Sequence, residues 1–84
     1  SNRPDMSKIR PALFWDTTLE KIDFSAHKHY VINRVFERGT EEEIKEIIRF
    51  YGRETILSSI DSTNVSPFAD NVKQNLKMYL DYEE

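Results

Sequence analysis

Two histidines and a cluster of glutamates are the residues best suited to catalysis or metal binding. His27 and His29 are two residues apart, which on a helix turns them to different faces, so they cannot hold one metal ion together. The glutamates at 41–43 and Glu46 could supply paired carboxylates for general acid–base catalysis. They lie at a predicted helix start, where anions stabilise the helix dipole, and this favours a solvated helix terminus instead.

Other catalytic patterns are missing from the sequence. Gly39 and Gly52 follow apolar helical segments and are predicted to end helices, Gly39 in the left-handed conformation, so neither belongs to a phosphate-binding loop. No serine or threonine lies in a nucleophile-elbow context. Cysteine is absent, which excludes disulfides and thiol chemistry. We therefore expect a protein that is not an enzyme and that has no metal or cofactor.

The polar face of the first predicted helix is the main candidate for a partner-binding surface. It carries Lys28, Arg34 and Arg38, and Trp15 in the preceding arm would join it wherever the arm is left uncovered. Arginine and tryptophan are enriched where interface energy concentrates. The first 38 residues have a net charge of +2 and the remainder −5, so this asymmetry would orient an acidic partner during its approach.

Two of these residues also have a purely structural interpretation. Arg34 lies within an apolar stripe and could pair with Asp16 or Asp23 instead of a partner. Trp15 is predicted to be mostly buried, as a plug of the core. The other predicted core residues are Val35, Ile47, Ile48, Ile56 and Leu76.

The second and third predicted helices, which meet at Gly52, could form a helix-turn-helix. The third helix would then offer to DNA the residues Arg53, Thr55, Ser58 and Ser59. DNA reading needs flanking cations to hold phosphates, whereas Glu54 and Asp61 lie on this helix and the whole chain carries a net charge of −3. DNA binding is therefore kept as the alternative function.

Apolar spacing and capping signals define the elements that must position these residues. Four helices are predicted, over about residues 25–38, from the Thr40 capping box to the stop at Gly52, over about 53–61, and from the Ser66-Pro67 start onwards. The fold class is thus all-α, a small four-helix domain with an N-terminal aromatic arm. We expect one domain over 1–84, with an arm at 13–24, helices within 25–82, and a leading segment, 1–12, that is flexible or foreign to the natural protein.

The overall composition is that of a globular domain. Hydrophobic residues make up 38% and charged residues 32% of the 84 residues, a balance that argues against a disordered chain. No apolar run approaches the length needed to span a membrane, and no secretory signal is present. A cytoplasmic protein without a membrane contact is expected.

Several separated motifs, in order, resemble a known family. They are Leu13-Phe14-Trp15-Asp16, Lys21-Ile22-Asp23, His27, Ile32-x-Arg34-Val35, Gly39-Thr40 and Tyr51-Gly52. The chain resembles, over about residues 13–60, uncharacterised bacterial helical proteins with an N-terminal Leu-Phe-Trp-Asp motif. That family has no assigned catalytic activity, and its members are often encoded beside nucleotidyltransferase toxins of abortive-infection type. The resemblance implies an antitoxin or accessory role.

Together these observations predict a non-enzymatic protein-interaction module. The expected partner is a protein, and the resemblance points to a toxin-type nucleotidyltransferase bound by an antitoxin-like or accessory partner. The alternative is a helix-turn-helix transcriptional regulator that binds DNA. The two functions are compatible, because antitoxins often bind operators, and the oligomeric state stays open.

Overall fold

Four α-helices and three short 3-10 turns make up the described part of the chain. The computed structural model describes residues 3–15, 17–62 and 70–82. Its helices are α1 (Lys28–Arg38), α2 (Glu41–Tyr51), α3 (Arg53–Ser62) and α4 (Asp70–Leu80). None of the described residues forms a strand. The all-α, four-helix prediction is confirmed, while the predicted helix start at Ser66-Pro67 lies outside the described residues.

The arm that precedes α1 is a series of 3-10 turns, at Met6–Lys8, Pro11–Phe14 and Leu19–Lys21. Pro11 opens the second turn, where its fixed φ suits the first helical position and its missing N–H would in any case be unpaired. The side chain of Asp5 caps the first turn by accepting from the Ser7 amide.

The start of α1 is later than predicted because a side chain stabilises a separate turn before it. The Asp23 carboxylate accepts hydrogen bonds from the amides of Ser25 and Ala26, both at 3.0 Å. These bonds hold the chain as a turn through His27, and the helix begins only at Lys28.

The glycine that follows α1 corrects a prediction. Gly39 is extended, with φ at −76°, and is not left-handed. Glycine is needed there for space, because a Cβ would lie 2.5 Å from the carbonyl oxygen of Val35. Gly52 does have positive φ, at 89°, and this conformation lets α3 begin immediately after α2.

The predicted capping box of α2 is confirmed. The Thr40 hydroxyl accepts from the Glu43 amide at 3.3 Å, and the Glu43 carboxylate accepts from the Thr40 amide at 2.8 Å. Both bonds satisfy amides that the first turn of a helix leaves without a partner. Local sequence alone therefore determines where this helix begins.

The core lies where α1 packs against the other three helices and the second turn of the arm packs on α1. Four of the predicted core residues are fully buried, namely Val35, Ile47, Ile56 and Leu76. Ile48 is only half-buried, at the edge of the cluster. The prediction for Trp15 is wrong, and its exposed position defines the candidate site.

Candidate partner-binding site

Trp15 is the most exposed large apolar side chain of the described residues, at 69%. It directly follows Leu13 and Phe14, which are both buried. A 3-10 turn advances about 120° per residue, so when two consecutive residues face the core the third is turned outward. The core accepts the first two residues of the Leu-Phe-Trp triplet and leaves the indole in solvent.

The guanidinium of Arg34 lies between two aromatic rings. Its central carbon is 5.4 Å from the ring centre of Trp15 and 5.3 Å from that of Tyr30, both within the range of a cation–π interaction. Arg34 also donates to the carbonyl of Leu13 at 3.2 Å, which ties α1 to the arm. We call Trp15, Tyr30 and Arg34 the Trp15 patch.

The sequence predicted that Arg34 could pair with the carboxylate of Asp16 or Asp23. Asp23 uses its carboxylate in the turn before α1, where hydrogen bonds from the Ala26 and Ser25 amides lower its pKa. Asp16 lies outside the described residues. The contacts described for Arg34 include two aromatic rings and a backbone carbonyl.

An open pocket of about 410 Å³ adjoins the patch at Tyr30. Its lining residues are Thr17, Lys21, Ile22, His27 and Tyr30. Nδ1 of His27 accepts from the backbone N–H of Asp23 at 3.3 Å, so in the neutral ring the proton is on Nε2. We call this pocket the side pocket. Its lining combines the ring of Tyr30, the apolar side chain of Ile22 and polar side chains.

The structure does not bring all four predicted partner-binding residues together. Trp15 and Arg34 are in contact, and Arg38 follows Arg34 by one helical turn but pairs with Glu37 at 3.6 Å. Lys28 is half-buried and lies about 120° around the helix from Arg34. The missed member of the site is Tyr30, whose i,i+4 spacing to Arg34 was visible in the sequence.

The residues proposed to read DNA do not form one exposed face. Ser59 is only 4% exposed, and its hydroxyl is hydrogen-bonded to Nδ1 of His29 at 2.6 Å. Arg53 donates twice to the carbonyl of Leu80, at 3.2 and 3.0 Å, and so joins α3 to the end of α4. Thr55 is half-buried, while Arg53 and Ser58 are exposed.

The prediction that the glutamates at the start of α2 are all solvated is wrong, because two of them are buried. Glu43 is 1% exposed and receives two hydrogen bonds from the Arg10 guanidinium, at 3.0 and 3.1 Å. It also accepts from the Arg10 amide at 2.7 Å. Burial raises the pKa of Glu43, but the bonds from Arg10 and Thr40 outweigh it and keep the pKa below its usual value.

Glu46, at 2% exposed, anchors the arm in the same way one turn further along α2. It accepts from the amide of Asp5 at 2.6 Å and from the Arg49 guanidinium at 2.8 and 2.5 Å. The hydrogen bonds from Arg49 outweigh the effect of burial and lower the pKa of Glu46 to about 2. Each of these carboxylates accepts several hydrogen bonds within the fold, and together they hold the arm against α2.

Within the described ranges, no group of three or more His, Cys, Asp or Glu side chains is arranged to hold a metal ion. No helix in the same part of the chain has the length and apolar character needed to cross a bilayer.

Fold and site together define a small all-α domain with an exposed aromatic–cation patch. A family model matches residues 9–60, well over half of the chain, and the protein belongs to that family, a family of unknown function (DUF6922). The match spans the Trp15 patch and confirms the expected membership of an uncharacterised family. No curated protein matches the chain, and no solved structure does.

Proposed function

We propose that the protein is a non-catalytic interaction module that binds another protein through the Trp15 patch. The observation that carries this proposal is the exposed indole of Trp15 held against the Arg34 guanidinium. Tryptophan and arginine are the residue types most enriched at interface hot spots. Burial of the indole on binding would contribute a large apolar area to such a contact.

The contacts that hold the patch against the rest of the fold support the same function. Tyr30 packs against the buried ring of Phe14 with 5.9 Å between centroids, and Arg34 is tied to the carbonyl of Leu13. The other end of the arm is fixed where the Tyr51 hydroxyl donates to the carbonyl of Phe24. Side chains that are ordered before binding lose less conformational entropy when the partner arrives.

The identity of the partner is proposed from the family resemblance. On that basis the protein acts as an antitoxin-like or accessory partner of a nucleotidyltransferase-type toxin in the cytoplasm. The arrangement of α3 gives less support to a DNA-binding regulator, because Ser59 is buried and Arg53 is engaged by Leu80.

Co-expression with the product of the adjacent gene tests the proposal. Trp15→Ala should weaken capture of that product at least tenfold, about 1.4 kcal/mol. Met78→Ala is the matched control, because Met78 is equally exposed, at 68%, but lies on α4. Equal capture by the wild type and by Trp15→Ala would show that the patch is not the binding surface.

A further inference from the structure

We infer that Arg34 is a positioning residue of the binding surface, which holds the indole of Trp15 in its exposed orientation and acts on the partner through that indole. This inference rests on the proposed function and names the residue that prepares the Trp15 patch for binding. The sequence left two roles open for Arg34, an internal ion pair and a direct contact with a partner, and the positioning role differs from both.

The indole needs support from outside the core. Trp15 is 69% exposed, so the packing that orders Leu13 and Phe14 does not extend to its ring. Exposed side chains change rotamer within picoseconds to nanoseconds unless a neighbour restrains them. The Arg34 guanidinium carbon lies 5.4 Å from the indole centre, where a cation–π interaction favours one orientation of the ring. Arg34 is therefore placed to restrain the side chain that the core leaves exposed.

Arg34 can restrain another side chain because it is itself held by the fold. It is half-buried, and its Nη1 donates to the carbonyl of Leu13 at 3.2 Å, two residues before the indole. The ring of Tyr30, one helical turn earlier, lies 5.3 Å from the guanidinium carbon. Tyr30 packs in turn against the buried ring of Phe14, with 5.9 Å between centroids. The planar group and one N–H donor of Arg34 are thus engaged within the protein, which favours support of the indole over direct contact with a partner.

Arg38, one turn further along α1, has a different environment. Its side chain is 60% exposed and its guanidinium is 3.6 Å from the Glu37 carboxylate, while the cation–π contacts of the patch involve Arg34. Arg38→Met is therefore the matched control for Arg34→Met, since both remove one positive charge from α1 and introduce an unbranched side chain of good helix propensity. Tyr30 is less suitable for the test, because it also lines the side pocket.

Trp15 reports its own motion, because it is the only tryptophan of the chain. Time-resolved fluorescence anisotropy of the full chain separates rapid motion of the indole from tumbling of the whole domain. In Arg34→Met the fraction of the anisotropy lost through rapid motion should rise about twofold or more, whereas Arg38→Met should match the wild type. Arg34→Lys should also release the indole, because lysine keeps the charge but lacks the planar group. Melting curves check that each variant is folded.

A double-mutant cycle tests whether Arg34 acts through the indole. Arg34→Met should weaken capture of the adjacent gene's product about two- to tenfold, the cost of ordering one mobile side chain on binding. In a Trp15→Ala background the same change should have an effect of less than about twofold, because no indole remains to be positioned. An arginine that touches the partner directly would give the same loss in both backgrounds.

Two results would overturn the inference. They are an unchanged anisotropy decay in both Arg34→Met and Arg34→Lys, and an equal loss of capture from Arg34→Met with and without Trp15. If capture still depends on Trp15 in those cases, the proposed function stands and only the positioning role is wrong. If capture does not depend on Trp15, the proposed function itself fails, and the anisotropy decay alone decides whether Arg34 holds the indole.

Discussion

Two parts of the arm, residues 5–10 and Trp15, use their polar and apolar groups in opposite ways. At residues 5–10 the backbone amides and Arg10 are bound by two buried carboxylates of α2, so the polar groups there are satisfied within the fold. At Trp15 the largest side chain of the arm is left in solvent beside a cation. The difference separates a structural anchor from a surface available for binding, although both lie in one short, irregular segment.

The largest expected effect is on the free energy of unfolding, and it differs between the neighbouring residues Phe14 and Trp15. Phe14 is fully buried, and Phe14→Ala should cost about 3–5 kcal/mol in lost burial and cavity formation. That is a large share of the total stability of about 4–12 kcal/mol expected for a domain of this size. Trp15→Ala should change the free energy of unfolding by less than about 1 kcal/mol. Urea unfolding of both variants measures this, and equal losses would remove the distinction between anchor and surface.

The anchor itself is tested at Glu43. Glu43→Gln removes the charge that faces Arg10 and places an amide NH2 among the donors that the buried Glu43 accepts from, so it should lower the free energy of unfolding by about 2–3 kcal/mol. Glu42→Gln is the matched control, since Glu42 is the exposed neighbour on the same helix. A control that destabilises as much as Glu43→Gln would mean that helix-dipole stabilisation, and not the anchor, is responsible.

The anchor also predicts a dependence of stability on acid. The pKa of Glu46 falls from its usual 4.5 in the unfolded chain to about 2 in the fold. Its stabilisation is therefore complete above pH 4.5 and is lost as the pH falls from 4.5 towards 2. The loss should be about 2 kcal/mol, allowing for the exposure of Arg49 to solvent. Urea unfolding at several pH values in this range should show that the free energy of unfolding depends less steeply on pH in Glu46→Gln than in the wild type. An equal dependence in both proteins would contradict the assignment.

The smallest expected effect is on binding, and it tests which arginine of α1 belongs to the binding surface. Arg34→Lys keeps the charge but loses the planar group between the two rings, so capture of the adjacent gene's product should weaken several-fold, on the order of 1 kcal/mol. Arg38→Lys, one turn further along α1, is the matched control and should capture normally. Equal weakening in both variants would favour the broader cationic face of Lys28, Arg34 and Arg38 that the sequence predicted.

The helices were predictable because their signals are local. The capping box at Thr40 and the apolar spacing of α2 lie within a few residues of one another, so the sequence determines the start of that helix and places Ile47 on its inner face, although it did not reveal the burial of Glu43 and Glu46. The late start of α1 was missed because the carboxylate of Asp23 stabilises a turn of its own. Such a side chain can cap either a helix or a turn, and the sequence does not distinguish these outcomes.

The site was predictable only in part. Trp15 and Arg34 were identified by residue type, but the exposure of Trp15 depends on which two of three consecutive apolar residues the core accepts. The pairing of Arg10 with Glu43 joins residues 33 positions apart, which no local spacing reveals. The Glu46–Arg49 pair, by contrast, has i,i+3 spacing and was visible in the sequence.

The carboxylate of Glu43 closes the cap of α2 and also holds the arm at Arg10. The arm precedes α2 in the chain and leaves the ribosome first, yet its acceptor exists only after the first turn of α2 has formed. During synthesis the amide and guanidinium of Arg10 therefore have no partner at Glu43 until α2 begins to form, whereas Phe14 can already pack against Tyr30 of α1. One end of the segment before α1 can thus reach its final contacts before the other.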